Sequence, residues 1–67
     1  MSIEQKIKRV RVEKLGLTQR ELAGLLDVDQ VTVSRWERGE VTPRISSIRQ
    51  LAEIAGMKVE EFFEEAA

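Results

Sequence analysis

Cysteine and histidine are absent from this 67-residue chain, and proline and tryptophan occur once each. Without cysteine there can be no disulfide framework. Without either residue, Cys/His zinc sites and thiol or imidazole catalysts are excluded as well. Long apolar runs are also missing. The longest, Leu22 to Leu26 with its glycine counted, has five residues, too few for a membrane span or a secretory leader. No glycine-rich phosphate loop and no cluster with metal-ligand spacing is present, so neither a cofactor nor a metal is expected, and an enzyme is a poor reading.

What is present suits a small folded domain. Apolar residues make up 42% of the chain and charged residues 34%, unlike the composition of a disordered tail. A chain of this length buries only about 60% of the surface its unfolded form exposes. Its core must come from several short elements sharing one centre, which favours binding over a walled catalytic cleft. We read residues 1–67 as a single domain.

The net charge of −1 hides an asymmetry. Through Leu51 there are ten basic and seven acidic residues, a net of +3. From Ala52 onward Lys58 stands against five acids, a net of −4. A basic segment beside an acidic one bears more on partners than the total does, although a run such as Glu60, Glu61, Glu64 and Glu65 can equally be a solvated helix face.

Apolar spacing of three and four residues recurs throughout, and no alternation of strand length is found, so the chain reads as all-α. The predicted helices span about 3–14, 18–26, 29–38, 45–55 and 59–65. Ile3, Ile7 and Val10 form the stripe of the first, and Gly16 is placed to end it. Thr18-Gln19-Arg20-Glu21 has the form of a capping box, and Leu22, Leu25 and Leu26 give the second helix its buried face. Asp27-Val28-Asp29 interrupts, with Asp29 as the cap of the third. Val33 and Trp36 point inward and Gly39 stops that helix. Ile45, Ile48, Leu51, Ala52 and Ala55 mark the fourth, ended by Gly56; Val59, Phe62 and Phe63 mark the fifth.

Gln19 to Trp36 is the informative unit. Two helices separated by so few residues cross steeply instead of lying antiparallel. With Leu22, Ala23, Leu26, Val28, Val33 and Trp36 turned inward, Val31, Ser34, Arg35 and Arg38 fall on the opposite face of the third helix, with Gln30 at its edge. This set of side chains suits double-stranded DNA. Glutamine and arginine can each make paired bonds to a base edge in the major groove, and valine can meet a thymine methyl.

Leu17-Thr18-Gln19-Arg20-Glu21-Leu22-Ala23, followed by Val31-Thr32-Val33-Ser34-Arg35-Trp36-Glu37-Arg38-Gly39, resembles the helix-turn-helix of the lambda repressor/Cro-like superfamily, also called the XRE family. The resemblance extends over roughly 7–63. It implies a five-helix lambda repressor-like fold with the recognition helix at about 29–38. It further implies a cytoplasmic, sequence-specific transcriptional regulator of prokaryotic or phage type. By the same resemblance Gln30, Val31, Arg35 and Gln19 read bases, while Thr18, Thr32, Ser34, Arg38 and Arg44 meet phosphates or make secondary contacts. Similar proteins dimerise through the C-terminal helix, so Val59, Phe62 and Phe63 are candidates for a homodimer contact on a near-palindromic operator.

The chain departs from the family pattern at three points. Asp27 stands where the tight turn usually has glycine. Val12 occupies the slot from which an arginine on the first helix usually pairs with the counterpart of Glu37, so Glu37 must find Lys8, Arg9 or Arg11, or stay in water. Asp29 places an acid near the expected DNA, either as a cap or against a cytosine amine. A second function remains open: an antitoxin-like or adaptor module that uses the same fold to bind protein, a reading kept alive by the acidic C-terminal segment.

Overall fold

The computed structural model describes residues 2–64. The element order is α1 (Ile3–Arg9), a π-helical segment (Val10–Lys14), α2 (Gln19–Leu26), α3 (Gln30–Glu37), α4 (Ile45–Ala55) and a single 3₁₀ turn (Val59–Phe62). Among the described residues there is no β-strand.

Ser2 and Thr18 start α1 and α2 with reciprocal capping boxes, Ser2 with Gln5 and Thr18 with Glu21. Each box satisfies two of the backbone donors that a helix start leaves unpaired. The helix ends use left-handed residues. Gly39 (φ +75°) and Gly56 (φ +66°) follow α3 and α4, and the next N–H reaches back five residues, Glu40 to Arg35 O at 3.0 Å and Met57 to Ala52 O at 2.8 Å. These bonds close carbonyls that would otherwise lack partners.

One core serves all elements. Ile7, Leu22, Val33, Leu51 and Phe62 are its fully buried large side chains, joined by Val10, Leu26, Trp36, Ile48 and three alanines. α2 packs on α3, α1 on α3, α2 on α4, and the 3₁₀ turn on α4 and α1. Ala23 is buried at 3% exposure, where a larger side chain would force α2 off its neighbours.

Three expectations need correction. The first helix is not α-helical through residue 14: its last turn widens to a π-helix, with Leu15 N–H on Val10 O at 2.9 Å. Val10 and Arg11, at the start of that segment, are both buried. In place of a fifth helix at 59–65 there is the 3₁₀ turn at Val59–Phe62, and residue 65 lies outside the described residues. Leu25 and Ile45, read as inward, are 56% and 49% exposed. α2 meets its neighbours through the Leu22/Ala23/Leu26 side, so Leu25 falls on its edge, and Ile45 is the first residue of α4, ahead of its buried stripe.

Candidate nucleic-acid interface

α2 and α3 are joined by three residues. Asp27 closes α2 in the left-handed conformation (φ 56°, ψ 46°), and it is the sole non-glycine residue with positive φ among those described. Val28 N–H then donates to Ala23 O at 3.0 Å. Aspartate tolerates this region better than most side chains do, at some cost in strain. Asp29 is extended (φ −75°, ψ 150°), and its carbonyl accepts from the N–H groups of Thr32 and Val33 at 3.0 and 3.3 Å. It thus stands at the N-cap of α3, but its carboxylate makes no cap bond and is exposed.

α3 is eight residues long, roughly 12 Å of helix axis. Val33 and Trp36 anchor its inner side. Gln30, Val31 and Arg35 are exposed on the outer side, while Thr32 and Ser34 are half-buried at its flanks. Arg35 and Arg44 take part in none of the ion pairs among the described residues. Arg44 is exposed and sits at the N-cap of α4. Arg38, beyond the end of α3, pairs with Glu40 at 2.8 Å with both side chains more than half exposed, and its Nε also reaches Ser34 O at 3.4 Å. Surface pairs of that kind contribute about 0–1 kcal/mol, so a phosphate could replace Glu40 at little cost.

The start of α2 lies beside this face. Thr18 Oγ1 accepts from Glu21 N–H at 3.0 Å, and Glu21 Oε1 accepts from Thr18 N–H at 2.9 Å. The Thr18 backbone N–H, followed by the Thr18 side chain, holds the Glu21 carboxyl below its ordinary value.

Glu37 is where the structure says most that the sequence did not. Arg11 Nε and Nη2 donate to its two carboxylate oxygens at 2.7 and 3.0 Å, and Arg11 Nη1 donates to Leu17 O at 2.8 Å. The side chains of Arg11 and Glu37 are 10% and 4% exposed. The partner of Glu37 is therefore Arg11, one of the three cations considered for it, and the pair is buried. The slot that the family resemblance implies for this arginine falls on Val12, which is 49% exposed. The π-segment shifts the inward position by one residue, to Arg11.

Gln19 completes the network: its Nε2 donates to Glu37 Oε1 at 3.0 Å. The resemblance implies a DNA contact for Gln19; in the structure it is half-buried, with one amide N–H turned toward Glu37. Among the described residues no buried side-chain polar atom lacks a partner. A guanidinium, a carboxylate and an amide thus tie the π-helical segment, the following loop, the start of α2 and the end of α3 together.

The dimer candidates separate. Phe62 is 1% exposed and belongs to the core, and Val59 packs partly buried against it. Phe63 is 54% exposed. Adjacent residues on a 3₁₀ turn point about 120° apart, so one of two neighbouring phenylalanines must face out. No helix among the described residues is long and apolar enough to cross a membrane.

The family model described as helix-turn-helix matches residues 7–62. Among solved structures, the DNA-binding domain of the P22 C2 repressor, determined in solution by nuclear magnetic resonance, superposes with a TM-score of 0.80 at 25% identity. The superposition covers 94% of this chain and 82% of that one. Among curated proteins, the mycobacterial cidal antitoxin MbcA of Mycobacterium tuberculosis and of Mycobacterium bovis is 36% identical over 44 residues. That match takes in 66% of this chain and 39% of the relatives' length.

Proposed function

The chain belongs to the helix-turn-helix family, and from that membership we propose that it is a sequence-specific regulator of transcription that lays α3 in the major groove of double-stranded DNA. Three lines support the reading: the family, the likeness to a repressor's DNA-binding domain, and the geometry of α3. The observation that carries it is that Gln30, Val31 and Arg35 lie exposed together on a helix whose other side is locked into the core. About 12 Å of helix fits a major groove about 12 Å wide.

Gln30 and Arg35 read base edges in this proposal, and Val31 meets a thymine methyl. Arg38 and Arg44 follow the phosphates beyond α3; Thr18, Thr32 and Ser34 supply further polar contacts. The mechanism is binding without covalent chemistry: the protein occludes or marks a promoter. One module of this size buries too little surface for tight and selective binding alone. A homodimer with two recognition helices about 34 Å apart would read a near-palindromic operator, with the exposed Phe63 as the first candidate for the contact.

Selection of bound duplexes from a random pool at fixed salt tests the reading. It should return one preferred sequence. Arg35→Ala should relax the preference at one position, at a cost of about 1–3 kcal/mol. Arg44→Ala should weaken binding to all sequences alike and lower the salt slope by about one unit. An unselective pool, or an Arg35→Ala chain that selects the same sequence as tightly, would refute the assignment of the reading face.

The match to an antitoxin favours one other reading, in which the same domain serves as part of a protein-binding module. Purification with a stoichiometric protein partner, together with no preferred duplex, would decide for it.

A further inference from the structure

We propose that Asp29 reads a base: its carboxylate accepts a hydrogen bond from the N4 amine of one cytosine in the bound site and turns away guanine and thymine there. The inference rests on the DNA-binding reading above and deepens it.

The structure takes away the other role open to this acid. As a cap, its side chain would accept from the N–H of the second or third helical residue. Ser2 and Thr18, at the same position ahead of α1 and α2, do so. Asp29 has the extended backbone of a cap (φ −75°, ψ 150°), yet its carboxylate makes no cap bond. It is exposed and takes part in none of the ion pairs among the described residues. Neither a helix N–H nor a cation of the described residues engages it.

Its place decides what it meets. In a helix-turn-helix the N-terminal residues of the second helix contact base edges, and Asp29 immediately precedes Gln30, the first residue of α3. Helical Cα–Cβ bonds tilt toward the N-terminus, so the exposed side chains of Gln30 and Val31 lean back toward the end at which Asp29 stands. A carboxylate only accepts. Unlike an amide, it has no N–H with which to settle on a phosphate instead. Guanine O6 and N7 and thymine O4 are acceptors that oppose it as well. The base donors in the major groove are the amines of adenine and cytosine. Adenine carries the N7 acceptor beside its amine, against the second carboxylate oxygen, whereas cytosine has a C–H there. Cytosine is therefore the better partner.

Selection from a random duplex pool, run side by side for the wild type, Asp29→Ala and Asp29→Asn, tests the proposal. The wild type should require a cytosine at one position other than that read by Arg35. Exchange of that C·G pair for T·A should weaken its binding about ten-fold, within the usual range for one base contact. Asp29→Ala should lose that preference alone, and should bind the T·A duplex more tightly than the wild type does, because the opposed acceptor is gone. Asp29→Asn should move the preference to adenine, whose N6 and N7 an amide side chain engages together. Circular dichroism verifies that both variants fold. If Asp29→Ala gains affinity for all duplexes alike and keeps every preference, Asp29 is a solvated acid that only repels phosphate, and the proposal fails. If neither substitution changes anything while Arg35→Ala still relaxes a position, the proposal fails and the DNA-binding reading stands. If no duplex is preferred at all, both fall together.

Discussion

Replacing Glu37 by glutamine should nearly unfold the protein, although the substitution preserves shape and affects a single carboxylate. Glu37 is 4% exposed and accepts from Arg11 Nε, Arg11 Nη2 and Gln19 Nε2. In Glu37→Gln one of the guanidinium N–H groups faces an amide NH₂, and a cation stays buried without its counter-charge. Breaking one side of a buried pair costs about 3–5 kcal/mol. A domain of this length has roughly 3–10 kcal/mol in total, taking about 0.05–0.15 kcal/mol per residue. The variant should therefore be partly unfolded at room temperature, in urea titrations followed by circular dichroism and by the fluorescence of the single tryptophan, Trp36. Arg11→Met should cost a similar amount, because Glu37 is then the orphan. The double variant, Arg11→Met with Glu37→Leu, should be more stable than either single change, since an apolar pair of similar volume leaves no buried charge. Salt near 1 M should not weaken the wild type through this pair, because buried charges are screened far less than exposed ones. Two single variants each losing less than about 1 kcal/mol, or a double variant less stable than both of them, would refute the reasoning.

The remaining predictions concern helix ends and exposed backbone. Asp27→Gly should raise stability by about 0.5–1 kcal/mol, since relief of left-handed strain exceeds the added chain entropy; an unchanged or lower urea midpoint would count against strain at the turn. Gly24 is an exposed helix residue where an added Cβ meets nothing within 4 Å, so Gly24→Ala should stabilise by about 0.8–1 kcal/mol, read as a rise in melting temperature. Thr18→Ala should cost about 1 kcal/mol through loss of the cap. It should also move the Glu21 carboxyl, observed by nuclear magnetic resonance titration, only part of the way toward its ordinary pKa, because the Thr18 backbone N–H, the larger cause, is kept. Because that carboxyl is lowered in the folded state, its contribution is present above the unfolded pKa and fades as the pH falls through the folded one. A Glu21 titration that returned fully to the ordinary value in Thr18→Ala would contradict the leading role assigned to the backbone N–H.

Much of the architecture is legible before any coordinates. Thr18 and Glu21 announce the start of α2 because a capping box is a local device, written in four consecutive residues. Val33 and Trp36 are three apart and both fall in the core, because α3 keeps a regular period between its caps. Residues 10–14 could not be read in this way. A π-turn changes the count by one residue and leaves no mark in the apolar pattern, so the slot implied by the family resemblance falls on Val12 instead of Arg11. Phe62 and Phe63 fail for a related reason: the choice between two adjacent aromatics depends on how the last turn is wound. Leu25 shows the limit of a stripe rule on a helix of eight residues, where the neighbouring helices decide which edge is covered. Of the candidate interface, the exposed positions on α3 follow from periodicity. The inward tie of Gln19 to Glu37 joins residues eighteen apart and depends on how α2 crosses α3.

The Arg11 clamp has a consequence for anyone who would transplant the corner formed by α2 and α3. Residues 18–38 look like a portable unit, yet the cation that neutralises Glu37 belongs to the preceding helix, as does the donor that occupies the Leu17 carbonyl. Grafted onto another scaffold without Arg11, the corner would carry an orphan carboxylate in its seam and a loose amide at its edge. A graft that is meant to keep the angle must therefore begin upstream, at or before Val10, and bring the widened turn with it.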